Sequence, residues 1–157
     1  MTPPPALPTF GELEAADRLV RAVMPATPQY RWPLLDRLVG TAIWVKHENF
    51  TPVGAFKIRG GLVYMDRLRR AMPGAEGVVT ATRGNHGQSV AFAAARYGFK
   101  AAVVVPHGNS REKNDAMRAL GAELIEFGDD FQDALEHAVE VAEQRGWHRM
   151  PSFDTAL

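Results

Sequence analysis

Residues 77–106 read GVVTATRGNHGQSVAFAAARYGFKAAVVVP. Two short apolar runs, GVVTAT and AAVVVP, flank an amphipathic, alanine-rich segment, GQSVAFAAARYG, that Gly98 stops. A short continuous apolar run bounded by turn signals fits a strand buried on both faces, and the segment between the two runs has the length of a crossover helix. Together they predict a βαβ unit. Toward the C-terminus the alternation continues. NSREKNDAMRALG predicts a helix capped by Asn109 or Ser110 and stopped at Gly121, AELIEFG a third strand, and DFQDALEHAVEVAEQRG a helix ending at Gly146. Met150-Pro151 reads as a strand leading into another connection. The expected fold is α/β, a three-layer parallel sheet with helices on both faces and right-handed crossovers.

Toward the N-terminus the signals are sparser. Residues 57–72 predict a helix ended by Pro73-Gly74, and TAIWVKHE, residues 41–48, a strand. Residues 10–23 predict a helix with Leu13, Ala16, Leu19 and Val20 on one face, broken by Pro25 and Pro28. Residues 1–9 hold four prolines and read as an extended or disordered arm.

The chain has 157 residues, enough for one domain with a real core. Its net charge is zero, so neither nucleic acid nor a membrane surface is an expected partner. It has no cysteine, which excludes disulfides, thiolate nucleophiles and cysteine-ligated metals. His47, His107, His137 and His148 show no metal-ligand spacing, and no metal is expected. MTPPPALPTF lacks the basic stretch and apolar run of a signal peptide, and no apolar run approaches the ~20 residues of a membrane span. A cytoplasmic protein is expected.

Two segments carry candidate chemistry. In ENFTPVGAFKIRGG, residues 48–61, a turn at Pro52 and Gly54, a small residue and an aromatic precede Lys57 at a helix start. A lysine amine is a nucleophile only when neutral, and burial or neighbouring cations, here Arg59 and Lys46, favour that form. Phe56 offers a face for a planar ring. The alternative is a solvated lysine at a helix start. In TATRGNHGQS, residues 80–89, the loop follows a buried strand and opens a helix. Ligands of open α/β sheets sit at strand carboxyl ends, and a new helix offers free N–H groups to an anion. Gly84 and Gly87 allow close backbone approach, and Thr82, Asn85 and His86 offer side-chain hydrogen bonds. The alternative is a loop whose polar groups only cap the helix. HGNS, residues 107–110, reads as a cap, and RLRR, residues 67–70, as helix-end cations.

Taken together, KHENFTPVGAFKIRGG, ATRGNHGQSVAFAAARYG and AAVVVPHGNSREKNDAMRALGAELIEFG resemble the fold-type-II pyridoxal-phosphate enzymes, in particular the serine/threonine dehydratase group that also includes serine racemase. The resemblance runs from about residue 27 to the end. Phe56-Lys57-Ile58-Arg59-Gly60 has the dehydratase and racemase form, not that of cysteine-synthase or threonine-synthase relatives. It implies a tryptophan-synthase-β-like fold with pyridoxal 5'-phosphate as cofactor. Lys57 is then the catalytic Schiff-base lysine that also removes the substrate Cα proton. Phe56 packs on the cofactor ring and Asn85 bonds its phenolic oxygen. Thr82, Arg83, Gly84, Asn85, His86 and Gly87 line the substrate-carboxylate pocket. The implied reaction is β-elimination on a hydroxy amino acid such as threonine or serine, giving a 2-oxo acid and ammonia. The alternatives are a serine racemase-like enzyme or a non-catalytic α/β module.

Two departures qualify this. Family members often carry Ser-Ser-Gly-Asn-His where this chain has Thr82-Arg83-Gly84-Asn85-His86. A guanidinium has no acceptor and does not deprotonate, so Arg83 cannot act as the racemases' second base. The expectation is therefore a lyase, with Arg83 either gripping a substrate carboxylate bidentately, as in a hydroxyaspartate, or pointing to solvent. Family members also continue well past residue 157. The implied division is residues 1–52 as arm, helix and first strand of a larger domain, 53–150 as the Lys-bearing segment and smaller α/β domain, and 151–157 as the start of the larger domain's other half. The phosphate-binding glycine loop is expected in that other half, and the full-length form as a homo-oligomer. Alone, this chain is expected to bind cofactor weakly, to be inactive and to expose an apolar face.

Overall fold

Glycines and polar caps delimit nearly every element of the computed structural model, which describes residues 7–152. Most of the expected arm and most of residues 151–157 lie outside that range. Helix α1 (Phe10–Arg21) opens on a reciprocal cap, in which Glu12 N–H donates to Thr9 Oγ1 and Thr9 N–H donates to the Glu12 carboxylate. Of its expected apolar face Val20 is buried, whereas Leu13 stays exposed. Strand β1 (Gln29–Arg31) pairs antiparallel with β2 (Trp44–Lys46), and α2 (Pro33–Val39) lies between them in sequence. The strand expected over residues 41–48 is thus only three residues long, because Glu48–Phe50 turn into a 3-10 helix.

Helix α3 (Lys57–Ala71) leads to the main sheet. Its strands are β3 (Gly77–Ala81), β4 (Lys100–Val105), β5 (Glu123–Glu126) and β6 (His148–Arg149), joined in turn by α4 (Asn85–Arg96), α5 (Arg111–Ala119) and α6 (Phe131–Arg145). All three pairings are parallel and the spatial order is β5-β4-β3-β6. Ser110 caps α5, Asp130 caps α6 by accepting from the N–H groups of Gln132 and Asp133, and Gly146 ends α6 in the left-handed conformation.

The sheet is covered on both sides. Strand side chains alternate faces. Val78, Ala101, Val103 and Val105 join Ile58, Leu62, Val90 and Met117 in one core, under α3, α4 and α5. Val79, Ala81, Ala102 and Val104 join Ala134, Ala138 and Val141 of α6 in the other. The three-layer α/β architecture expected from the apolar runs is the one present.

The topology also fixes where a ligand belongs. From β3 the chain passes through α4 to β4 on one side, whereas β6 arrives on the other side of β3 by way of α6 on the opposite face. Strand order reverses between β3 and β6. In open parallel sheets, ligands bind outside the carboxyl ends of the strands flanking such a reversal.

Candidate active site

Lys57 reaches that crevice. Its approach is built by the turn before it. Gly54 takes φ 65, which a side chain would resist, and Thr51 Oγ1 both accepts from Ala55 N–H and donates to Ala55 C=O, each at 2.9 Å. Lys57 then opens α3, and its Nζ donates to the carbonyl of Ser152, just past β6, at 2.9 Å. That partner is neutral, and Lys57 forms no ion pair among the described residues. Arg59 and Lys46, expected as neighbouring cations of the amine, instead face Glu48. Arg59 Nε lies 2.8 Å and Lys46 Nζ 3.9 Å from its carboxylate.

The 82–87 loop divides into an inner and an outer set. Thr82 is buried and its hydroxyl accepts from Gly84 N–H at 3.1 Å, which fixes the turn entering α4. The His86 ring is buried and its Nε2 lies 3.0 Å from Thr80 Oγ1 on β3. Burial, and then the nearby charge of Lys57, hold this imidazole down at about 4, so it is neutral near pH 7. The Lys57 backbone lies beside α4, its carbonyl accepting from Ser89 Oγ at 2.8 Å. Gly87, read from sequence as room for a ligand, is also required by packing. A methyl there would run into Met117 Sδ and stand 2.6 Å from Thr82 Cγ2 and 3.1 Å from Val103 Cγ1. At Gly84 a methyl would lie 3.0 Å from Lys113 Nζ.

Arg83 and Asn85 form the outer set. Both are exposed, and neither side chain has a hydrogen-bond or ion-pair partner among the described residues. Phe56 presents its ring to solvent, 63 % exposed. The first turn of α4 also leaves backbone N–H groups without intrahelical partners. The sequence thus presents an amine on a neutral partner, an exposed amide, an exposed aromatic face and a helix N-terminus on neighbouring segments. This donor set fits the aldehyde and ring end of a pyridoxal cofactor, with the α4 terminus suited to a carboxylate. Asn85 also borders a groove of about 550 Å³ whose other walls include Val53, Gln88 and Lys113. Among the described residues no group of three or more His, Asp or Glu side chains gathers to hold a metal.

Sequence reasoning missed several of these partners. Ser89 Oγ donates to the Lys57 carbonyl at 2.8 Å, tying α3 to α4 where Gly61 lets the helices touch. The Ser152 carbonyl is a backbone group 95 positions from Lys57, so no side-chain motif announces it. Thr80 was legible only as an inward-facing polar residue in an apolar strand.

Comparison with known proteins identifies the family. The family model described as "Pyridoxal-phosphate dependent enzyme" matches residues 20–157. The biosynthetic L-threonine dehydratase of Escherichia coli is 38 % identical over 155 residues, which cover 94 % of this chain and 30 % of that protein. The L-threonine ammonia-lyase of Geobacter sulfurreducens is 39 % identical over 145 residues, 92 % of this chain and 35 % of that protein. The crystal structure of a pyridoxal 5'-phosphate-dependent aspartate racemase superposes with a TM-score of 0.90 at 33 % identity, covering 97 % of this chain and 47 % of that one. The chain thus spans about a third of the length of these curated relatives and under half of the racemase. With the fold and a match over most of its length in agreement, the chain belongs to the pyridoxal-phosphate dependent enzyme family.

Proposed function

We propose that this chain is the N-terminal part of a pyridoxal-phosphate-dependent ammonia-lyase that converts a hydroxy amino acid such as threonine or serine to a 2-oxo acid and ammonia. The observation that carries this reading is the Lys57 amine, donating to the neutral Ser152 carbonyl just past β6, while Ser89 ties the Lys57 backbone to α4. Relatives named threonine dehydratase and ammonia-lyase support the choice of reaction.

When bound, pyridoxal phosphate supplies an aldehyde with which amines condense and a ring that accepts the electron pair left at Cα. Lys57 would anchor it, and Phe56 and Asn85 would hold its ring. The N–H groups of Asn85 and His86 at the start of α4 orient the substrate carboxylate, with Thr82, Gly84 and Gly87 shaping the loop. Lys57 Nζ would take the Cα proton and, as the ammonium so formed, would return a proton to the β-hydroxyl, which leaves as water while the Cα electron pair becomes a Cα–Cβ double bond. Hydrolysis of the resulting enamine consumes one water and gives the 2-oxo acid and ammonia. Residues 1–52 are assigned to a larger domain, 53–150 to the smaller one and 151–157 to the return into the larger. The full-length protein is read as a cytoplasmic homo-oligomer; no helix among the described residues is long and apolar enough to cross a membrane.

A racemase is the second reading, favoured by the TM-score of 0.90 to the aspartate racemase. Arg83 weighs against it, since a guanidinium cannot take a proton on the opposite face of Cα. The test is to load the full-length protein with cofactor and incubate it with L-threonine or L-serine. The expected result is a visible absorbance that Lys57→Ala abolishes, with release of 2-oxo acid and ammonia. Accumulation of the D-amino acid without ammonia would instead establish the racemase.

A further inference from the structure

Helix α3 begins without an ordinary cap. Phe56 at the cap position makes no side-chain hydrogen bond, and the first turn holds no acidic residue. Something else must fix the angle at which this helix leaves its turn. On one flank Ser89 Oγ holds the Lys57 carbonyl at 2.8 Å. On another stands Arg59, two residues after Lys57 and so about 200° around the helix from it.

Arg59 is committed to a single carboxylate. Its Nε donates to Glu48 Oε2 at 2.8 Å and its Nη2 to Glu48 Oε1 at 2.9 Å, a two-point contact that fixes direction as well as distance. Glu48 is itself anchored, accepting from the buried Thr27 hydroxyl at 2.6 Å, while Lys46 Nζ donates to the Thr27 carbonyl at 3.4 Å. The guanidinium and the Thr27 hydroxyl hold the Glu48 carboxyl down at about 2 against its partial burial. The N-terminal segment, the 3-10 turn and the first turn of α3 are thereby joined through one charged knot. It also brings to the start of α3 the negative charge its own first turn lacks.

We infer that the Arg59–Glu48 pair is the device that positions Lys57. It pins the first turn of α3 on the flank away from the crevice, while Ser89 pins it against α4, and together they aim the Lys57 amine between β3 and β6. Arg59 is a positioning residue and touches no reacting atom. The inference rests on the function proposed above for Lys57. A misplacement of about 1 Å at a reacting group costs on the order of a hundredfold in rate, so a loosened α3 start is visible in turnover before folding is lost.

The test uses the full-length, cofactor-loaded protein and the variants Arg59→Ala, Arg59→Lys, Glu48→Gln and the exchanged pair Glu48→Arg/Arg59→Glu. Each is followed by the rate at which Lys57-dependent visible absorbance appears on adding cofactor to the cofactor-free form. Steady-state kcat and KM and the thermal midpoint are measured beside it. The expected result is that Arg59→Ala and Glu48→Gln each slow the absorbance change and lower kcat by about tenfold or more, with KM within about threefold. Arg59→Lys, which cannot span both oxygens, recovers only part, and the exchanged pair restores more than either of its single substitutions. Should Arg59→Ala not fold, Glu48→Gln, which preserves shape, decides. The inference is overturned if folded Arg59→Ala or Glu48→Gln keeps the parent's rates, or if losses merely track the unfolded fraction. If the parent itself shows no Lys57-dependent absorbance, the proposed function falls first. A normal parent with indifferent variants removes only the positioning role.

Discussion

At the scale of single residues, the environment of each polar group assigns its task. His86 sits in a motif that suggests ligand contact, yet its ring is buried against Thr80. The unfolded chain protonates this imidazole below about 6.5 and the folded chain only below about 4. Between those values the unfolded state binds more protons, so stability rises with pH across the window and this contribution is complete above it. Acidification through the window should remove on the order of 3 kcal/mol. Denaturant titrations across that range should show the slope, and His86→Gln should flatten it; an unchanged slope would mean that the ring is not buried neutral. Arg83 is the opposite case, exposed and without a protein partner among the described residues. On the reading that it grips a second carboxylate, Arg83→Ser in the full-length protein should lower the preference for 3-hydroxyaspartate over threonine by about tenfold or more, as expected for a charged hydrogen-bond pair. An unchanged ranking of the two substrates removes Arg83 from the site.

At the scale of elements, what packs tightly was legible and what lies exposed was not. The strands β3 and β4 are apolar runs closed by helices with glycine stops, and Gly98, Gly121 and Gly146 all adopt positive φ. Asp130 was readable as a helix-start acid because the carboxylate answers the free N–H groups there. By contrast β1 shows no alternation of burial, all three of its residues being exposed, and α2 buries none of its residues. With no buried face there is no period to read. Nor did spacing reveal the role of Gly87, since the glycine that admits a ligand and the glycine that admits a neighbouring side chain look the same in one sequence. Gly87→Ala should cost about 1–3 kcal/mol through displacement of Met117 and Thr82. A thermal midpoint within error of the parent would show that α4 has slack against α5 and β4.

At the scale of the whole molecule, the candidate site was legible as two segments but not as one place. Lys57 and the 82–87 loop announce themselves by residue type; their convergence depends on the reversal between β3 and β6, which the long-range pairing of Val78 with His148 and Val79 with Arg149 establishes. The same architecture leaves an apolar surface open around the first, two-stranded sheet. Trp44 is 63 % and Phe50 67 % exposed, and Tyr30 and Trp32 pack edge-on beside His47. The 157-residue chain expressed alone should therefore bind a hydrophobic dye and associate at micromolar concentration, whereas the full-length protein should do neither. Equal dye binding by the two would mean that this surface is exposed by design. The central claim is that one amine, among the four lysines of this chain, holds the cofactor. Borohydride reduction of the loaded full-length protein, followed by peptide mass mapping, tests it directly. The account predicts cofactor mass on the peptide carrying Lys57; its appearance on Lys46, Lys100 or Lys113, or on none of the four, would contradict it.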